Sequence, residues 1–95
     1  VTVVSDKFER EVIICNRRGL HARASAKFAR EAGSFKAAVH VRKDGAEVTG
    51  TSIMGLMMLG ASTGEKIAIS AIGDDAEVAL DRLCAMVSDK FGEGE

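Results

Sequence analysis

The spacing of apolar and polar positions changes several times along the chain, and each change marks an element. Glu11-Val12-Ile13-Ile14-Cys15 is rich in β-branched residues and predicts a first strand, with Phe8 leading into it. Asn16-Arg17-Arg18-Gly19 reads as a turn. From Ala22 the period becomes helical: Ala22, Ser25, Ala26, Ala29 and Ala32 share one thin, small-residue face, Phe28 widens it, and Gly33 is the natural stop. Ala37 to Arg42 then alternates, with Val39 and Val41 on one face and Ala38, His40 and Arg42 on the other. Lys43-Asp44-Gly45 is a hairpin signal, and Ala46 to Thr49 returns as a short strand. Ser52 to Leu59 predicts a short helix ending at Gly60, and Lys66 to Ile72 another alternating strand. After the turn Gly73-Asp74-Asp75, the residues Ala76, Ala79, Leu80, Leu83 and Val87 mark an amphipathic helix running to about Phe91-Gly92. The order is β-α-β-β-α-β-α. Four short strands and three helices in this order predict an α+β fold, one sheet with the helices on a single face, because an alternating strand needs one polar side.

With 95 residues the chain is sized for one domain, residues 1–7 reading as an N-terminal extension and 92–95 as an acidic tail. At 46% apolar and 28% charged it has the composition of a globular protein. A formal net charge of −1, four Phe and no Trp or Tyr exclude the basic footprint and aromatic platforms of a nucleic-acid binder. No apolar run reaches the ~20 residues that span a bilayer, so membrane insertion is not expected. Cys15 and Cys84 match no CxxC or zinc spacing and sit in apolar segments, so they read as buried free thiols in a reducing cytoplasm. A disulfide between them has no motive. No charged-then-apolar leader is visible, and neither a metal nor a cofactor is called for.

Two histidines could carry chemistry. His40 lies on the polar side of an alternating strand and reads as passive. His21 follows Gly19-Leu20 and directly precedes the helical run, at or beside the N-cap. The first N–H groups of that helix, from Ala22 to about Ala24, lack intrahelical partners, and the helix dipole adds positive potential. Arg23 reaches the same space. An imidazole, unpaired amides and a guanidinium converge where a phosphate would be welcome. On local geometry alone the plainer reading, a capping histidine with a solvated arginine, stands first, because helix N-termini with a nearby Arg are common.

The segment Asn16-Arg17-Arg18-Gly19-Leu20-His21-Ala22-Arg23-Ala24-Ser25-Ala26-Lys27-Phe28 resembles the active-site segment of HPr, the histidine-containing phosphocarrier family of the bacterial phosphoenolpyruvate-dependent phosphotransferase system. Ser52-Ile53-Met54-Gly55-Leu56-Met57-Met58-Leu59-Gly60 resembles that family's regulatory-serine segment at the usual separation, and Lys66 to Ala71 with Gly73 and Asp75-Ala76 continues the match. The resemblance implies an open-faced sandwich with an antiparallel four-stranded sheet. It implies that His21 is phosphorylated on Nδ1 by enzyme I and passes the group to an EIIA-type acceptor. Arg23 and the backbone amides of Ala22 and Arg23 would stabilise the phosphate, without a cofactor. It implies a covalent carrier, not an enzyme, at work in the cytoplasm; a monomer suits a relay protein that docks two partners in turn. Two departures stand out. The family often has proline where this chain has Ala24, which keeps an N–H at the cap, and many members carry a short polar residue where it has Arg18.

Ser52 suits an N-cap on its own account. The resemblance adds phosphorylation by a dedicated kinase, HPr kinase/phosphorylase, in some bacteria, which would place negative charge beside the partner surface. The run after it is apolar nearly all round. Leu56 and Leu59 read as the core pair, leaving Ile53, Met54 and Met57 facing outward. Read as plain pattern, a methionine stripe is more often core; the resemblance makes it, with Leu20 and Ala24, a partner-binding surface. Competing readings are a phosphocarrier of the nitrogen-related regulatory branch, a docking module regulated through Ser52 alone, and an unrelated interaction domain whose histidine only caps.

Overall fold

A computed structural model of the chain describes residues 7–93. The elements are β1 (Lys7–Ile13), α1 (Ala22–Gly33), β2 (Ala38–Lys43), β3 (Ala46–Thr49), α2 (Ile53–Leu59), β4 (Lys66–Ile72) and α3 (Ala76–Ser88), followed by a 3₁₀ turn at Lys90–Gly92. The strands form one antiparallel sheet in the order β1-β4-β2-β3. This is the expected open-faced α+β sandwich. The strand β1 begins at Lys7 and ends at Ile13, so it takes in a residue assigned above to the extension and releases Cys15 into the following loop.

Alternation along the strands sorts the two faces. In the rows Phe8–Ala71–Val39 and Arg10–Ile69–Val41, the β4 and β2 residues are buried under the helices. The intervening rows carry Glu9–Ser70–His40–Thr49 and Glu11–Ala68–Arg42–Glu47 on the open face. There Arg42 reaches across β4 to Glu9 at 2.8 Å and Lys66 sits 3.6 Å from Glu11. His40 lies in this polar layer between Ser70 and Thr49.

In α1 the buried face is Ala24, Ser25, Phe28, Ala29 and Ala32. Phe28 is its centre, whereas Ala22 is exposed and Ala26 half-buried. The stripe is rotated from the predicted one because the largest apolar side chain gains most from leaving water. In α3 all five predicted positions are buried, and Phe91 extends the same core beyond the helix end. Helix α2 buries Leu56 and Leu59 as expected and ends at Gly60 in the left-handed conformation. The hairpin turn has positive φ at both Asp44 and Gly45, as a type I′ turn requires.

Both cysteines are free, and both are half-buried instead of fully buried. The loop after β1 leaves the Cys15 thiol at the core margin, where it donates to the Val87 carbonyl at 3.3 Å. Cys84 lies on the flank of α3, and desolvation pushes its thiol pKa up. No described helix is long and apolar enough to cross a membrane.

Candidate functional site

The loop from Ile14 to Leu20 carries the chain from β1 to α1, and each bend in it has a cause. Ile14 is fully buried and its N–H donates to Glu65 O at 2.9 Å, which holds the loop's start against the segment before β4. The Thr63 hydroxyl donates to the carbonyls of Asn16 and Arg17. Gly19 turns the chain with φ +64°, and a Cβ there would lie 2.3 Å from Ala61 O, so only glycine fits. Leu20 then donates its N–H to that same carbonyl at 2.9 Å. His21 therefore leaves the loop at a fixed position as the N-cap of α1.

The cap is made by the imidazole itself. The Arg23 N–H donates to His21 Nδ1 at 3.2 Å, and Ser25 N–H reaches the His21 carbonyl at 2.8 Å. An atom that accepts an amide proton holds a lone pair, so the ring proton of the neutral imidazole sits on Nε2. That nitrogen faces Glu93, a carboxylate that can only accept. The other carboxylate oxygen of Glu93 accepts from Asn16 Nδ2 at 3.1 Å. Burial raises the Glu93 carboxyl, but the hydrogen bonds from His21 and Asn16, with the charges of His21 and Lys27 behind them, hold its pKa below the usual carboxylate value. Nδ1 thus keeps a lone pair, turned toward the first-turn amides and the positive end of the helix.

Of the predicted site residues, His21, Ala22 and Arg23 come together at this helix end, with Ala22 and Arg23 exposed. Leu20 and Ala24 do not join a docking surface: they are 5% and 0% exposed, packed in the core beneath the site. Ala24 fills a fully buried position on α1. Ser52 caps α2, its hydroxyl accepting Gly55 N–H at 2.9 Å. It lies away from His21: α2 runs back along α1, with Ala61 just past its end accepting the Leu20 N–H, while a Cβ added to Gly33 at the end of α1 would lie 3.8 Å from Thr51 Cγ2. Seven helical residues, about 10 Å, separate the serine from the histidine's end of the pair. Between them Ile53, Met54 and Met57 are exposed, and so is Met58, at 80% the most open of the large apolar side chains described.

Sequence reasoning also missed Asn16 and Glu93. Asn16 is fully buried; in the sequence it is an ordinary turn residue. Glu93 belonged to the presumed acidic tail, and no local pattern distinguishes it. Among the described residues no group of three or more His, Cys, Asp or Glu side chains could hold a metal ion.

A family model described as the PTS HPr component phosphorylation site matches residues 8–89. The chain belongs to the HPr family. It is 44% identical to the phosphocarrier protein HPr of Cupriavidus necator over 92% of this chain and 98% of that protein. It is 42% identical to the phosphocarrier protein NPr of Shewanella violacea, over 92% of this chain and 96% of the relative. The crystal structure of HPr-C-His from Thermoanaerobacter tengcongensis superposes with a TM-score of 0.88 at 42% identity, covering 93% of this chain and 99% of that one. This HPr-family chain is a phosphocarrier of the phosphotransferase system.

Proposed function

We propose that the chain accepts a phosphoryl group on Nδ1 of His21 from phosphorylated enzyme I and passes it to an EIIA-type component of a sugar permease. The observation that carries this reading is the capped imidazole, whose Nδ1 lone pair faces the Arg23 N–H. In the transfer the Nδ1 pair forms the new N–P bond as the bond from phosphorus to the donor breaks, and the donor keeps that electron pair. The reaction asks for positioning and charge stabilisation of a loose transition state. The Arg23 guanidinium and the amides of Ala22 and Arg23 supply both, and the amide that held Nδ1 is released to a phosphate oxygen. The exposed helix end suits a carrier, because a partner's active site can close over it.

The proposed docking surface is the exposed face of α2, with Ile53, Met54 and Met57. Methionine adapts to partners of different shape. Phosphorylation of Ser52 by HPr kinase/phosphorylase would put negative charge at one end of this face. The chain works as a monomer in the cytoplasm without a cofactor.

The test is intact mass after incubation with phosphoenolpyruvate and enzyme I. One acid-labile phosphoryl group is expected, absent in His21→Ala; retained acceptance in that variant would overturn the assignment. The similarity to an NPr keeps the nitrogen-related branch as the second reading. Transfer from the charged protein to a nitrogen-branch EIIA but not to a sugar EIIA would favour it.

A further inference from the structure

We infer that Glu93 is a positioning residue of the phosphoryl-transfer site, holding His21 in the Nε2–H tautomer and balancing the positive charge the ring acquires when Nδ1 takes the phosphoryl group. The inference deepens the carrier reading and rests on it. Glu93 lies beyond residues 8–89, the span matched by the family model, so nothing in that match assigns it.

The chain path delivers this carboxylate by construction. After α3, Lys90 and Phe91 both take left-handed φ, 56° and 55°, a conformation disfavoured for such side chains. The turn buries the Phe91 ring to 2% exposure, and Lys27 of α1 donates to the Phe91 carbonyl at 2.9 Å. Two residues later the Glu93 side chain is only 13% exposed, wedged between two donors. One is Asn16 Nδ2, whose other hydrogen goes to Gly19 O at 2.8 Å. These two acceptors fix which way the Asn16 amide points, and among the described residues its buried Oδ1 has no partner. A buried amide with an unsatisfied oxygen is costly. What it provides in return is a fixed loop and a fixed carboxylate. The second donor is His21 Nε2.

The consequence for reactivity follows from proton placement. A carboxylate cannot donate, so the imidazole proton must sit on Nε2 for the contact to exist. The remaining lone pair is on Nδ1, the nitrogen that must attack. When Nδ1 bonds phosphorus, the ring still carries its Nε2 proton and becomes cationic, and the adjacent carboxylate offsets that charge. The same division of labour, with a carboxylate orienting an imidazole while its other nitrogen does the chemistry, operates in hydrolytic triads.

The test is Glu93→Gln in the full chain, which keeps the shape and removes the charge. Long-range proton–nitrogen NMR of the neutral ring at alkaline pH reads the tautomer directly. Wild type is expected almost wholly as Nε2–H, and E93Q as a mixture. Phosphoryl transfer from enzyme I is expected to fall roughly ten-fold in kcat, the size of one charge-assisted hydrogen bond, with KM unchanged. Glu93→Asp, which retains the carboxylate on a shorter stem, should recover part of the rate. E93Q with an unchanged tautomer or an unchanged kcat would overturn the proposal. If wild type itself takes no phosphoryl group, the carrier reading fails, while the tautomer comparison still tests what Glu93 does to the ring.

Discussion

The three helices begin in three different ways. Ser52 caps α2 with a hydroxyl 2.9 Å from the Gly55 amide, a bond of ordinary strength. His21 caps α1 with an imidazole nitrogen 3.2 Å from the Arg23 amide, at the long end of the ordinary range. Asp75 stands at the start of α3 but makes no side-chain bond to it. Its two carboxylate oxygens instead accept the N–H groups of Lys36 and Ala37, each at 2.8 Å. The comparison separates a cap that stabilises its helix from one that can let go. A nucleophile that capped tightly would have to break a good hydrogen bond before reacting. On the proposed mechanism Nδ1 would lose little when phosphorus replaces the amide, and the amide would then have an anion to bind.

The largest effect that would break this contrast is at His21. Its replacement by Ala is expected to abolish phosphoryl acceptance, read by intact mass, while thermal unfolding shows the fold intact. Arg23→Ala should slow acceptance roughly a hundred-fold, the cost of losing one preorganised donor to developing charge. Stopped-flow transfer from enzyme I measures it. Ser52→Asp should act at the other end of α2 and so raise KM for partners about ten-fold, one charge pair's worth of docking energy, with kcat held. A fall in kcat would mean that Ser52 reaches the histidine chemistry. Ser52→Ala should cost about 1 kcal/mol in denaturant unfolding, as a lost cap does, and leave transfer unchanged.

The smallest effect concerns Asp75. The amides of Lys36 and Ala37 outweigh partial desolvation and hold its carboxyl below the ordinary value. A carboxyl depressed in the folded state adds stability above its unfolded pKa, lost as pH falls through the folded value. Asp75→Asn should therefore lower stability at neutral pH and flatten its decline in acid, both visible in melts between neutral and acid pH.

Much of this was legible in the sequence because local rules and tertiary needs agree. The alternation of Val39 and Val41 gave their burial, Ser52 its cap, Asp44-Gly45 its turn, and the spacing in α3 its whole buried face. His21 could be placed at a helix end because glycine, histidine and a helical period follow one another directly. The misjudged positions have a common cause. Leu20, Ala24, Asn16 and Glu93 owe their environments to contacts across the fold, and Glu93 meets His21 at a separation of 72 residues. No window of neighbouring residues encodes such a meeting. Met58 illustrates the converse: a short helix lying over the sheet can bury only two of its apolar side chains, and pattern alone does not say which extra methionine stays out.

That 72-residue separation also orders events during synthesis. At roughly 5–20 residues per second, the ribosome adds Glu93 roughly 4 to 14 seconds after the histidine it supports. Until then the imidazole lacks the carboxylate that would set its tautomer. A chain ending just before Glu93 would carry the histidine and the arginine without that carboxylate, and is expected to accept the phosphoryl group about as slowly as E93Q.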